Sequence, residues 1–137
     1  MNQKLKTLQI IHLSICAGVI LGYVILGDFS LEVLQMPIVD SNSIIYAIIP
    51  LIAFVFSNFI FRSQINKIDA KVSFDEQFPL YQTASIVRWA ILEGAAFVLL
   101  ILKKDFILFG ILLIVYLLLL FPSEFKVKSD LEKIKIK

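Results

Sequence analysis

The sequence is poor in charged residues and in the side chains that build most reactive sites. Only 18% of its 137 residues are Asp, Glu, Lys or Arg, and it contains one cysteine and one histidine. A single thiol, Cys16, excludes an intramolecular disulfide and any paired-cysteine redox or metal motif. A metal site needs several clustered His, Cys or carboxylate ligands, which this composition does not supply. The sequence therefore predicts no catalytic residues, no metal, no cofactor and a protein that is not an enzyme.

Basic residues are neither abundant nor gathered in one place. Thirteen Lys and Arg face eleven Asp and Glu, which leaves a formal charge of +2. A nucleic-acid-binding domain carries a basic patch or stripe, and this sequence contains no such stretch. Nucleic acid is therefore not expected as a partner.

Apolar residues are what the sequence has in abundance. They make up 59% of the chain, compared with roughly 45–50% of a soluble domain. The mean hydropathy is +0.89. Four apolar runs cover residues 8–26, 44–61, 83–102 and 106–121. As helices they would be about 24–30 Å long, close to the hydrocarbon thickness of a bilayer. The prediction is an all-α membrane protein, a four-transmembrane-helix bundle that forms a single membrane domain over 1–137.

Lysine and arginine are divided very unevenly between the two sides of this predicted bundle. Only Lys103 and Lys104 fall on one side. The other side, shared by both termini and the middle loop, has eleven: Lys4, Lys6, Arg62, Lys67, Lys71, Arg88, Lys126, Lys128, Lys133, Lys135 and Lys137. Because basic residues near helix ends resist translocation, the side with eleven is predicted to be cytoplasmic. We expect a multi-pass protein of the bacterial inner membrane with both termini inside.

Two tandem helical hairpins of the same orientation are the predicted arrangement. The connection "KKD" at 103–105 is about the shortest that reverses two helices, so the third and fourth helices should be antiparallel neighbours. The stretch "IIHLSICAG" from Ile10 is similar to "IVRWAILEG" from Ile86, which favours two related hairpins. Chance similarity between two apolar stretches explains the match equally well, so both interpretations stay open.

Two stretches outside the apolar runs are predicted to lie in the cytoplasm. Residues 62–82 form an amphipathic link, and Pro79 is expected to set the start of the third helix. Residues 122–137 form a basic tail after Pro122, with a short mobile helix that begins at the capping-box sequence "SDLE" from Ser129.

Small residues recur four positions apart in the first and third helices. They are Ser14, Gly18 and Gly22 in the first helix, and Ala90 and Gly94 in the third. Small residues at this spacing let helix backbones approach closely in lipid, where packing rather than the hydrophobic effect drives association. These five residues are predicted to be helix-packing residues.

Each predicted helix also carries one polar residue at a similar depth, about 5–10 Å below the cytoplasmic boundary by a rise of 1.5 Å per residue. The four are His12, Asn58, Arg88 and Tyr116. Polar groups in hydrocarbon seek one another, so they are candidates for a polar layer. For Arg88, extension to the lipid headgroups is favoured over a binding role. For the other three, hydrogen bonding between helices is favoured.

Glu93 lies deeper, near the middle of the third helix. An acidic residue at the membrane centre costs on the order of 2.5–3.5 kcal/mol on insertion scales, so an intramembrane carboxyl is a candidate functional group. It is expected to face the close-packed side of the bundle, beside Ala90, Gly94 and Ala96. Two interpretations weigh equally: a functional carboxyl, or a neutral one that donates one hydrogen bond to a neighbouring helix.

The stretch "TASIVRWAILEGAAF" from Thr83 carries a family resemblance. With Arg88, Glu93 and Gly94 in these positions and "TLQIIH" at 7–12, the chain resembles uncharacterised small four-helix integral membrane proteins of the Bacteroidota. This resemblance implies a fold and no activity. Locally, "AILEGAAFVLLIL" is similar to the carboxylate-bearing helix of rotary ATPase subunit c, with Glu93 in the place of its acidic residue. The glycine-rich first helix and the polar "RQP"-type loop of that family are missing, and Glu93 falls on the first helix of a hairpin rather than the second.

Two functions of different kinds are predicted from these features. The first is a non-enzymatic accessory or structural subunit in the lipid bilayer that packs on a membrane-protein partner or on itself. The second is a small proton, cation or solute transporter or channel that uses Glu93 in a homo-oligomer. The small-residue faces favour the first, and the intramembrane carboxyl favours the second.

Overall fold

A computed structural model describes residues 2–27 and 35–135 of the chain, and these residues form helices without any strand. The helices are α1 (Asn2–Leu26), α2 (Ile44–Ile65), α3 (Phe74–Leu102), α4 (Ile107–Leu119) and α5 (Glu124–Lys135), with a 3-10 turn, Lys104–Phe106, before α4. The all-helical class expected from the apolar runs is thus confirmed. Residues 136 and 137 of the predicted basic tail lie outside the described residues.

Three helices, α1 to α3, are long and apolar enough to cross a membrane. The fourth apolar run is helical over only 13 residues, Ile107–Leu119, and ends before Pro122. Together with its 3-10 turn it forms a bent pair with α5, at an angle of 83°, and only this pair would make a fourth span. The described residues therefore contain three or four helices capable of spanning a bilayer.

The longest helix, α3, lies at the centre and contacts α1, α2 and α4. The predicted pairing of α3 with α4 is confirmed. The first predicted hairpin is wrong as a packed unit, because α1 packs on α3 and α4 rather than on α2. The buried stripe of α1, which includes Leu8, Val19 and Tyr23, faces these two helices. The long connection after α1 allows α1 and α2 to lie against different parts of α3.

The start of α3 differs from the prediction, since Pro79 lies inside the helix and not at its beginning. The helix starts at Phe74, after Ser73, whose side-chain oxygen accepts a hydrogen bond from the Glu76 N–H at 3.4 Å. Proline lacks an N–H, so the carbonyl of Asp75 has no donor within the helix. The Lys4 ammonium lies 3.4 Å from that carbonyl and 3.4 Å from the Asp75 carboxylate. Lys4 thus compensates for Pro79 and joins α1 to α3.

The predicted mobile tail is a packed helix instead. It starts at Glu124, five residues before the expected capping box, where Ser123 Oγ accepts from the Lys126 N–H at 3.2 Å. Val127, Leu131 and Ile134 follow at helical spacing and are all buried. One apolar face of α5 therefore covers the end of the bundle that carries the N-terminus and the α2–α3 link. We call this the basic end.

The outward faces of the bundle are apolar over much of their area. Large apolar side chains are more than half exposed along α1, α2 and α4, including Leu21, Leu51, Phe59 and Leu112. A continuous apolar exterior of this extent is unfavourable in water and suits contact with lipid. The exterior and the helix lengths together support a membrane protein.

Candidate functional site

Three of the four polar-layer residues meet between α2, α3 and α4. The Asn58 side-chain nitrogen donates to the Tyr116 hydroxyl at 2.8 Å, and Asn58 Oδ1 accepts from Arg88 Nη1 at 3.4 Å. One residue from each of three helices thus forms a connected polar cluster. Depth along the helices was sufficient to predict this part of the layer.

Arg88 is an interior side chain of the bundle and does not extend to an open surface. It is 6% exposed, and its guanidinium carbon lies 3.8 Å from the centre of the Phe61 ring. This cation–π contact offsets part of the cost of burying the charge. Its Nε is buried without a hydrogen-bond partner, and no described carboxylate lies within ion-pair distance of it. Arg88 therefore lies inside the bundle and not along its outer surface, and its extension to the headgroups stays a prediction.

Arg88 lines a cavity of about 280 Å³ between α2, α3 and α5, which we call the basic-end pocket. Its polar lining residues are Asn58, Arg62, Asn66, Arg88, Asp130 and Lys133. The lining thus contains three basic side chains and one acidic side chain. Asp130 is itself engaged, because Tyr81 donates its hydroxyl proton to Asp130 Oδ2 at 2.7 Å. Sequence reasoning missed this pocket, since its wall on α5 belongs to the segment predicted to be a mobile tail.

His12 does not join the Arg88 cluster. Its Nε2 lies 2.8 Å from the carbonyl of Leu117, and because a carbonyl can only accept, Nε2 carries the proton. The ring packs edge-on against Trp89 at 4.7 Å and is almost completely buried. The predicted four-member layer is therefore wrong for His12, which hydrogen-bonds and packs between α1, α3 and α4. Trp89 is adjacent to Arg88 in sequence and points to a different side of α3, which separates the two sites.

Glu93 is half-buried on α3, close enough to Cys16 of α1 to interact electrostatically with it. Its carboxyl has no hydrogen-bond or ion-pair partner among the described residues. Of the three residues expected beside it, Ala90 and Gly94 are exposed and Ala96 is buried. The expectation that Glu93 faces the close-packed side of the bundle is therefore wrong: it lies at the edge of the α1–α3 contact.

The five small residues fall into two groups. A Cβ atom added at Gly22 would lie 2.6 Å from Cε1 of Phe97, so this glycine permits a close contact between α1 and α3. A Cβ added at Gly18 or Gly94 would meet no atom within 4 Å. Ser14 and Ala90 are exposed as well. Within one chain the packing prediction is thus wrong for Ser14, Gly18, Ala90 and Gly94, because their faces point away from the neighbouring helices.

Gly110 of α4, which the four-residue spacing did not predict, has less room for a Cβ atom than Gly18, Gly22 or Gly94. A Cβ there would clash with the hydroxyl of Tyr23 and would lie 2.8 Å from its Cζ. Tyr23 is buried, and its hydroxyl donates to the carbonyl of Ala96 on α3. Gly110 has no small residue four positions away, so the spacing of small residues could not identify it.

The remaining chemistry of the described residues is limited. In the ranges 2–27 and 35–135, no three His, Cys, Asp or Glu side chains come together as a metal site. The arrangement thus offers two distinct features: a polar pocket with a buried arginine at the basic end, and an exposed small-residue face beside Glu93.

Comparison with known proteins finds no matching family, no matching curated protein and no matching solved structure. The resemblance to the small Bacteroidota membrane proteins and the local similarity to subunit c therefore stay predictions.

Proposed function

We propose that the protein is a non-enzymatic polytopic protein of the bacterial inner membrane that works as a structural or accessory subunit by helix association. The apolar exterior supports insertion in a bilayer. The excess of Lys and Arg at the basic end supports a cytoplasmic position for that end, with both termini inside.

One observation carries the proposal: small residues are exposed on two neighbouring helices, α1 and α3, and leave room for another helix. We call it the small-residue face and define it by Ser14, Gly18, Ala90 and Gly94, with Glu93 at its edge. Glycines with open space above them expose backbone that lipid chains cover less tightly than a packed helix does. An unpaired carboxyl beside them gains most from a hydrogen-bonding neighbour, since lipid offers none.

The occupant of this face is a second copy of the chain. Copies inserted in the same orientation bring equal depths together about an axis along the membrane normal, as in most symmetric oligomers. Gly18 and Gly94 of one copy then face the same small residues of the other. The two Glu93 carboxyls meet at one depth, where a hydrogen bond between them replaces the missing partner. The face is thus complementary to itself in both shape and polarity.

Oligomeric state in lipid nanodiscs or vesicles, counted by single-molecule photobleaching at high lipid dilution, tests this proposal. Wild type is expected to be dimeric or larger. Gly18→Leu and Gly94→Leu should give monomers, because a large side chain fills the gap. Val55→Phe is the matched control, as it adds bulk to an exposed position on α2 and should change nothing. Wild-type monomers at every dilution would refute association, and dependence on a different protein would refute the second copy.

A second candidate function is proton or cation transport, favoured by the unpaired Glu93 carboxyl on the same face. In this case the oligomer brings several carboxyls together and forms the pathway between copies. Flux into vesicles should be present in wild type and lost in Glu93→Gln, with oligomeric state unchanged. An absence of flux in a dimeric wild type would refute transport and would leave only the structural function.

A further inference from the structure

The strongest unexplained feature of the described fold is a buried cation without a carboxylate within ion-pair distance. Only 6% of Arg88 is exposed, and its Nε is buried without a hydrogen-bond partner. Burying a charge is costly unless it is paired and hydrogen-bonded. A cation–π contact with Phe61 and one long hydrogen bond to Asn58 satisfy it only in part.

Positive charge is concentrated around this guanidinium. Arg62 and Lys133 line the same pocket, and both are exposed at its rim. Burial, followed by the charge of Arg88, lowers the pKa of Lys126 on α5. Asp130 is the one acid among the lining residues, so the lining carries a net charge of +2 from three cations and one anion.

We propose that the basic-end pocket binds a phosphate group, with Arg88 at its floor and Arg62 and Lys133 at its rim. Guanidinium groups match the oxygen geometry of phosphate, and lysine adds a point charge. The amide of Asn66 supplies a neutral donor. The Asn58 side-chain nitrogen already donates to Tyr116 and to the Phe54 carbonyl, and Asn58 serves to hold Arg88 in place. A volume of about 280 Å³ is at the lower limit of ligand pockets, which suits a headgroup-sized molecule rather than a large one.

This site is separate from the small-residue face and does not depend on helix association. Its phosphate can come from an anionic phospholipid or from a soluble molecule. Three of the residues that line the pocket, Asp130, Lys133 and Ile134, belong to α5 at the basic end. If this end is cytoplasmic, as proposed above, that level coincides with the headgroups of the inner leaflet. The experiment distinguishes the two sources.

Purified protein in nanodiscs of phosphatidylcholine alone is compared with protein in nanodiscs that contain phosphatidylglycerol. Native mass spectrometry measures retained lipid, and thermal unfolding measures the stabilisation. In a third arm, inorganic phosphate is added to the phosphatidylcholine nanodiscs, with chloride at equal ionic strength as reference. Specific retention of phosphatidylglycerol assigns a lipid headgroup, whereas stabilisation by free phosphate assigns a soluble source.

Lys133→Gln and Arg62→Gln should weaken binding by about tenfold each, the effect of losing one charge-assisted contact. Lys128→Gln is the matched control on α5, because Lys128 lies outside the lining and pairs with Glu124 at 3.0 Å. Asp130→Asn should strengthen binding, since it removes the acid from the pocket. These rim variants keep the proposal testable if Arg88→Met fails to fold.

Two results would overturn the proposal. The first is the absence of both lipid retention and phosphate stabilisation in wild type. The second is an equal loss of binding in Lys133→Gln and Lys128→Gln, which would indicate general electrostatic attraction to the basic end rather than a site.

Discussion

Substitution of Gly110 by alanine should destabilise the bundle, because α4 and α1 meet there without space for a methyl group. The added Cβ would lie 2.8 Å from Tyr23 Cζ, and closer still to the hydroxyl. The ring cannot move aside without breaking its hydrogen bond to the Ala96 carbonyl. Overpacking costs about 1–3 kcal/mol and a lost hydrogen bond about 1 kcal/mol. The helix propensity of alanine returns about 1 kcal/mol, so the net loss is about 1–3 kcal/mol.

The measurement is the free energy of unfolding by denaturing detergent in mixed micelles, at a protein dilution that keeps the chain monomeric. Gly94→Ala is the matched control, since its methyl group meets open space and should leave stability equal or slightly higher. Adding Tyr23→Phe to Gly110→Ala removes the atom that clashes first and should recover part of the loss. If Gly110→Ala were as stable as Gly94→Ala, the close contact between α1 and α4 would be refuted.

Two further predictions concern the ends of the bundle. Leu131→Ala should cost about 2–5 kcal/mol if α5 unfolds together with the bundle, and should expose the C-terminal segment to protease, whereas Glu132→Ala on the exposed side should do neither. At the start of α2, hydrogen bonds from the backbone N–H and hydroxyl of Ser43 and from the Asn42 N–H lower the pKa of Asp40. A lowered folded-state pKa stabilises the fold above the ordinary pKa of the carboxyl, and that stabilisation is lost as the pH falls through the folded-state pKa. Unfolding measured from neutral pH to pH of about 3 should therefore show an acid-side loss that Asp40→Asn reduces.

The positions of the helices were predictable because apolar runs are a local signal. Which helices pack against each other was not, because that depends on residues distant in sequence. Apolar runs bounded by charged residues and Pro122 predicted the ends of α1 and α3, the start of α2 and both limits of α4 to within two residues, whereas α1 begins six residues and α3 nine residues before its predicted run. Depth alone brought Asn58, Arg88 and Tyr116 together correctly. It failed for His12, because residues at one depth can still point to different sides of a helix. The side chains of Arg88 and Trp89 differ by about 100° around α3.

The α5 helix shows why composition misled the prediction at the C-terminus. Its charged residues dominate a hydropathy average, so the segment has the appearance of a solvated tail. Val127, Leu131 and Ile134 nevertheless occupy one face at helical spacing, and burial of that face stabilises the helix against the bundle. Periodicity was the signal that could have found it. Pro79 misled in a different way, because Lys4, distant in sequence, satisfies the carbonyl that proline leaves free.

The two features of α3 should act independently, which gives a test of the whole assignment. Arg88 and Glu93 are five residues apart, so their side chains differ by about 140° around the helix and face different neighbours. Effects of distant sites without shared partners add, whereas those of coupled sites do not. Lys133→Gln should therefore weaken phosphate binding without changing the oligomeric state. Gly94→Leu should give monomers without changing phosphate binding. The double variant should show both losses at their single-variant size. If the double variant lost more or less phosphate affinity than Lys133→Gln alone, association would change the basic-end pocket, and the two sites would be energetically coupled.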